Sequence, residues 1–126
     1  MSTQELKPGT SYPAVVGGVL VKLRNQKGVR QGDLAQAVGV TQATWSRIEN
    51  GSSALTIEQV GLAAATLGTS PGYVMGLADQ AVDQLRARGV RVEPTRSAAN
   101  IDSGTALIGA AALGALIAAV FLKKGL

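Results

Sequence analysis

The segment from Arg30 to Gly51, RQGDLAQAVGVTQATWSRIENG, constrains the fold more than any other part of this chain. Its first half places Leu34, Ala35 and Val38 at spacings of three and four, which predicts a helix that buries one side. Gly39 follows, and glycine adopts the left-handed conformation that ends a helix at little cost. The sequence therefore predicts a short helix that ends in a tight turn.

A second short helix is predicted directly after this turn. Thr41 stands at its N-cap, because the hydroxyl can accept a hydrogen bond from the first backbone N–H groups of the helix. Trp45 and Ile48 are predicted to face the interior, and Asn50-Gly51 is a stop signal. The outer face carries small and polar residues: Gln42, Ala43, Thr44, Ser46 and Arg47. Gln can pair with adenine and Arg with guanine in the major groove, so this face is suited to reading base edges.

The two helices resemble the helix-turn-helix of the phage repressor and Cro type, also called the XRE family. The matching residues lie in both helices and in the turn: Gln31, Leu34-Ala35, Gly39-Val40-Thr41-Gln42 and Ser46-Arg47-Ile48-Glu49-Asn50-Gly51. The resemblance extends more loosely from Val16 to Leu77. It implies an all-α fold with a five-helix, repressor-like domain at 14–77.

The resemblance also implies roles for single residues. Those implied to face base edges are Gln42, Ala43 and Arg47, and those implied to face phosphates are Gln31, Thr44 and Asn50. Exposure and hydrogen-bonding reach support Gln42 and Arg47 independently, whereas Ala43 can contact only a thymine methyl group. Domains of this fold also serve as protein-binding modules, in which these would be ordinary surface residues.

Two further residues of the second helix are predicted to be structural. Trp45 stands where the family usually has Ile or Val, and we interpret it as a core residue. Glu49 is interpreted as an acceptor for neighbouring backbone or Arg groups. Neither residue is assigned a catalytic role.

Composition argues against an enzyme. The chain contains no Cys and no His, which removes disulfides, thiolate and imidazole metal ligands and the commonest general base. It also lacks a carboxylate cluster and a phosphate-cradling glycine loop. We therefore expect no catalytic residue, no metal and no cofactor.

The basic surplus of the domain is small for a protein that binds DNA. The net charge of the chain is +4, but residues 14–77 hold five basic and three acidic side chains. After Gly51 the family usually has a basic pair and a proline, and here Ser52-Ser53-Ala54 follows, so two phosphate contacts are missing. Tight binding would need two copies, or contacts from backbone amides and neutral side chains.

The rest of the domain is predicted from start and stop signals. Residues 1–13 are interpreted as a flexible arm, and an apolar first helix is expected to run from Ala14 to Gly28. Val19 and Val21 stand where the family commonly carries charge, so this helix is predicted to offer an apolar strip to a protein partner. Capping residues further along the chain predict helix 4 from the N-cap Thr56 and a short helix 5 from Ser70-Pro71. An extra helix and a brief strand are predicted within 78–93, and a polar linker at 94–103.

The segment Gly104–Leu122, GTALIGAAALGALIAAVFL, predicts a single transmembrane helix. Its nineteen residues carry no charge, and at about 1.5 Å per residue they would span roughly 28 Å, the thickness of the hydrocarbon core. A basic tail, 123–126, follows. The alternative is a buried or oligomer-forming apolar helix. Small residues four apart predict that this helix self-associates: Ala106, Ala110, Gly114 and Ala118.

Arginines before the span outnumber the two lysines after it, which favours an inner-membrane protein with its N-terminal domain in the cytoplasm. The sequence therefore predicts a membrane-tethered, sequence-specific transcriptional regulator that binds double-stranded DNA as a dimer. One alternative is a membrane-anchored adaptor that binds a protein partner, similar to the bacterial rod-shape adaptor. Another is a self-assembling structural protein whose Ala/Gly tail packs into a polymer.

Overall fold

A computed structural model describes residues 7–96 and 105–123 of the chain. Within these ranges it has six helices and three short strands. The helices are α1 (Tyr12–Lys27), α2 (Gln31–Val38), α3 (Gln42–Glu49), α4 (Ile57–Thr66), α5 (Pro71–Ala87) and α6 (Ala110–Lys123). The strands are β1 (Lys7–Ser11), β2 (Arg91–Glu93) and β3 (Thr105–Leu107).

The helix boundaries follow the capping signals of the sequence. The hydroxyls of Thr41, Thr56 and Ser70 each accept a hydrogen bond from the backbone N–H three residues later, as the sequence predicts. Gly39 ends α2 with a φ of 84°, in the left-handed region. The short helix 5 and the extra helix form one continuous helix, α5, because a single buried stripe runs through both: Val74, Leu77, Ala78, Ala81, Val82 and Leu85.

A small parallel sheet joins the two ends of the described chain. Strand β1 lies in the centre and pairs with β2 on one side and β3 on the other. Gly9 is aligned with Arg91 of β2 and with Leu107 of β3. Residues 7–11, which the sequence assigns to a flexible arm, thus form the central strand, since the ladder satisfies their backbone polar groups. Positions 1–6, 97–104 and 124–126, which include most of the predicted linker and most of the predicted basic tail, lie outside the described residues.

The core lies between α1 and the helices that surround it. Trp45 is fully buried, as predicted, together with Leu20, Leu34 and Ile48. Helix α1 approaches α3 so closely that a Cβ atom at Gly17 would lie 2.3 Å from the carbonyl oxygen of Ile48. This contact fixes the position of α3 against the body of the domain.

The predicted transmembrane helix is wrong. The segment that the prediction treats as one helix contains strand β3 and then α6, which has only 14 residues. A helix of this length spans about 21 Å, well short of the roughly 30 Å of a hydrocarbon core. None of the helices in residues 7–96 and 105–123 combines the length and the hydropathy that a bilayer crossing requires. The single-pass inner-membrane location, which depended on this span, is wrong with it.

Helix α6 is apolar because it packs against α1 and α5. It buries Leu113, Ile117, Val120 and Phe121, which recur at spacings of three and four. Ile117 is fully buried, and a Cβ atom at Gly18 of α1 would lie 2.4 Å from its Cδ1 atom. The alternative of a buried apolar helix is therefore the observed one.

This packing also changes two interaction predictions. The apolar strip of α1 that is expected to meet a protein partner is partly buried within the chain: Val19 is fully buried, whereas Val21 is half-buried and lines an open cleft beside α6. The four small residues do not share one helix, because Ala106 belongs to β3. Ala110, Gly114 and Ala118 remain four apart on α6, and self-association through these three residues stays a prediction.

Candidate nucleic-acid interface

The outer face of α3 presents the residues that the sequence assigns to base contacts. Gln42, Ala43 and Arg47 are exposed, and Thr44 is half-buried. The Thr44 hydroxyl oxygen accepts hydrogen bonds from the hydroxyl of Thr41 at 3.0 Å and from Nη2 of Arg47 at 3.3 Å. Thr44 thus connects the N-cap residue Thr41 with Arg47, which lies one turn after Thr44.

Gln31, at the start of α2, braces the first residue of α3. Its Oε1 accepts a hydrogen bond from Nε2 of Gln42 at 3.4 Å, while its own Nε2 donates to Oε1 of Glu49 at 2.8 Å. The Gln42 amide keeps one N–H and its carbonyl oxygen for other partners. These are the donor and the acceptor that a bidentate pair with adenine requires.

The carboxylate of Glu49 holds three helices together behind this face. Glu49 is only 8% exposed. It accepts from Nε and Nη2 of Arg24 at 2.7 and 3.0 Å, and from Nε1 of Trp45 at 2.8 Å, besides the bond from Gln31. A buried charge is tolerated when it is paired and hydrogen-bonded in this way. The prediction that Glu49 is a structural acceptor is confirmed.

The electrostatic surface differs from what a count of residues suggests. Arg24 is not a surface cation, since it pairs with Glu49 and donates to the carbonyl oxygen of Val29 at 3.1 Å. Arg30 pairs with Asp33 at 2.8 Å on the surface. The exposed Arg47 is not in an ion pair with any residue that the structure describes. It is the cation that α3 itself presents.

The turn after α3 contains the third predicted phosphate contact, Asn50. Its Oδ1 accepts from the backbone N–H of Ser52 at 3.0 Å and from the Ser52 hydroxyl. Asn50 and Gln31 also line one cleft of about 310 Å³, which the first turn of α6 closes on its other side. The structure thus brings these two residues together beside α3, and Thr44 lies on α3 itself.

Sequence reasoning missed one residue at this turn. Nη1 of Arg96 donates to the carbonyl oxygen of Ser52 at 2.8 Å, across 44 residues of sequence. The sequence places Arg96 in a loop-like linker. No local pattern signals the contact, because it depends on the pairing of β2 with β1.

Comparison with known proteins supports the interpretation of this region. Residues 16–73 match the family described as a helix-turn-helix domain. Two solved structures of the clp gene regulator ClgR from Corynebacterium glutamicum are similar. The alignment with one of them has 26% sequence identity, covers 61% of this chain and 82% of the ClgR chain, and has a TM-score of 0.59. The alignment with the other has 28% sequence identity, covers 54% of this chain and 88% of the ClgR chain, and has a TM-score of 0.52.

A comparison with curated proteins finds no match. The matched residues contain α2, α3 and the turn between them, together with the network around Glu49. Residues 16–73 therefore match a helix-turn-helix domain, in which α3 corresponds to the second of the two helices.

Proposed function

We propose that this protein is a sequence-specific, DNA-binding transcriptional regulator of the XRE type, with α3 as its recognition helix. One observation carries the proposal: Gln42 and Arg47 lie exposed on α3, and each is held by a neighbouring side chain that leaves hydrogen-bonding groups for a base. The helix-turn-helix match and the similarity to a gene regulator support it. Ala43 lies beside them on the same exposed face.

The phosphate contacts are proposed on both sides of the recognition helix. Gln31 approaches from α2, Thr44 lies on α3, and Asn50 lies in the turn that follows. Neutral side chains of this kind position a protein on DNA without reading its sequence. They supplement Arg47, the one cationic side chain of α3.

We further propose that the protein binds as a dimer. Two copies would place their α3 helices in successive major grooves, about 34 Å apart, on an approximately palindromic site. The thin basic surplus of the domain favours this arrangement, because two copies double the number of phosphate contacts.

The experiment is selection of preferred sites from a random duplex library by the full chain, followed by gel shifts on the selected site. We expect Gln42→Ala and Arg47→Ala each to cost about 1–3 kcal/mol and to relax the base preference. The matched controls are Gln36→Ala and Arg88→Ala, which remove the same residue types from exposed positions outside the proposed interface. Unchanged affinity and base preference in both α3 variants would disprove the assignment.

A further inference from the structure

We propose that Arg96 is a phosphate-binding residue of the DNA interface and replaces the basic pair that the α3–α4 turn lacks. The inference rests on the proposed function. It assigns a DNA contact to a residue that lies outside the matched helix-turn-helix domain, which ends at residue 73. It also gives the small parallel sheet a role in binding.

The guanidinium of Arg96 is placed directly on the turn. Its Nη1 donates to the carbonyl oxygen of Ser52, two residues beyond the proposed phosphate contact Asn50. The Ser52 hydroxyl and backbone N–H both bind Asn50 Oδ1, so these two residues form one compact unit. Arg96 therefore adds a positive charge to the same turn in which the family carries its basic pair.

Most of the binding capacity of Arg96 remains available. A guanidinium has five N–H donors, and the structure gives one of them to Ser52. Among residues 7–96 and 105–123, no carboxylate forms an ion pair with Arg96. Its planar fork of donors matches the oxygens of a phosphate. The neutral serines of the turn cannot supply this charge.

The sheet fixes the backbone that carries Arg96. Strand β2 ends at Glu93, and Thr10 and Ser11 of β1 lie opposite Val92 and Glu93. Val92 is buried, and its carbonyl oxygen accepts from Nη2 of Arg86 at 3.2 Å. Arg96 follows only three residues later. A cation held in place before binding loses less conformational entropy when it meets a phosphate.

The test measures binding of the full chain to a labelled duplex of mixed sequence, about 30 base pairs long, from about 50 to 200 mM KCl. We expect Arg96→Gln to weaken binding and to reduce the slope of log K against log salt by about one. Glutamine keeps an N–H group that can donate to Ser52, so a purely structural role would leave the slope unchanged. Arg96→Lys keeps the charge and should keep the slope.

A second variant tests whether a basic residue in the α3–α4 turn can replace Arg96. In the Arg96→Gln background, Ser52→Lys returns a charge to the exposed side of the turn and should restore the lost slope. Arg88→Gln removes an exposed arginine at the C-cap of α5 and controls for net charge. Circular dichroism verifies that each variant is folded.

The inference is overturned if Arg96→Gln leaves the slope unchanged, or if Arg88→Gln lowers it equally. Failure of the wild-type chain to bind any duplex is a different result. It would reject the proposed function, and the role of Arg96 would fall with it.

Discussion

The carboxylate of Glu49 connects stability with recognition. It binds Arg24 of α1, Gln31 of α2 and Trp45 of α3, and through Gln31 it also positions Gln42 on the exposed face. A buried ion pair gains little if its remaining hydrogen-bonding capacity is unmet. Here the neutral donors of Gln31 and Trp45 satisfy the carboxylate oxygens that Arg24 leaves available. Loss of the carboxylate would therefore leave all three donors without their acceptor.

We expect Glu49→Gln to destabilise the protein by about 3–5 kcal/mol, because the Arg24 guanidinium loses its buried counter-charge. Urea denaturation followed by circular dichroism measures this loss. Glu58→Gln, an exposed carboxylate at the start of α4, is the matched control and should shift stability by about 0.5 kcal/mol or less. An effect at Glu49 as small as that at Glu58 would show that the network contributes no stability.

Whether the role of an interface residue can be predicted from the sequence depends on how far along the chain its contact partner lies. Trp45 and Glu49 are four apart on one helix, so their structural roles follow from local spacing. From the sequence alone, Arg24 and Arg96 are only two positive charges, because the residues that they contact lie 25 and 44 positions away. Those contacts depend on how α1 and β2 pack, which no local pattern contains.

Helix α6 shows that a whole element can also be misassigned when its packing partner is distant in the sequence. The short helices α2 and α3 are predictable because their caps and buried faces are local. Uncharged residues and apolar spacing, however, describe a membrane helix and a buried helix equally well. What distinguishes them here is the partner surface on α1, where Gly18 admits Ile117. Strand β3 is equally undetectable from sequence, because it exists only as the neighbour of β1.

We expect Ile117→Ala to cost about 2–5 kcal/mol of unfolding free energy, because it leaves a cavity between α6 and α1. Leu122→Ala is the control on the same helix: Leu122 is 77% exposed and should be worth about 0.5 kcal/mol or less. Urea denaturation of both variants measures the difference. Equal, small losses would mean that α6 does not pack on α1 in solution.

The sheet and α6 make the C-terminal segment part of the same folding unit as the helix-turn-helix domain. Strand β1, which leads directly into α1, pairs with strands from both sides of residues 97–104. Helix α6 then packs against α1 and α5. A segment bound by this many long-range contacts has no independent core of its own, so it is expected to unfold with the domain.

This coupling predicts one cooperative unfolding transition for the full chain. Trp45 is the only tryptophan, so its fluorescence reports on α3, whereas far-ultraviolet circular dichroism reports on all helices. The two signals should give the same urea midpoint in the wild-type protein, and Ile117→Ala should lower both midpoints equally. If α6 folded apart from the domain, Ile117→Ala would leave the Trp45 transition in place. Coincident shifts would show that α6 stabilises the helix that carries the proposed base contacts.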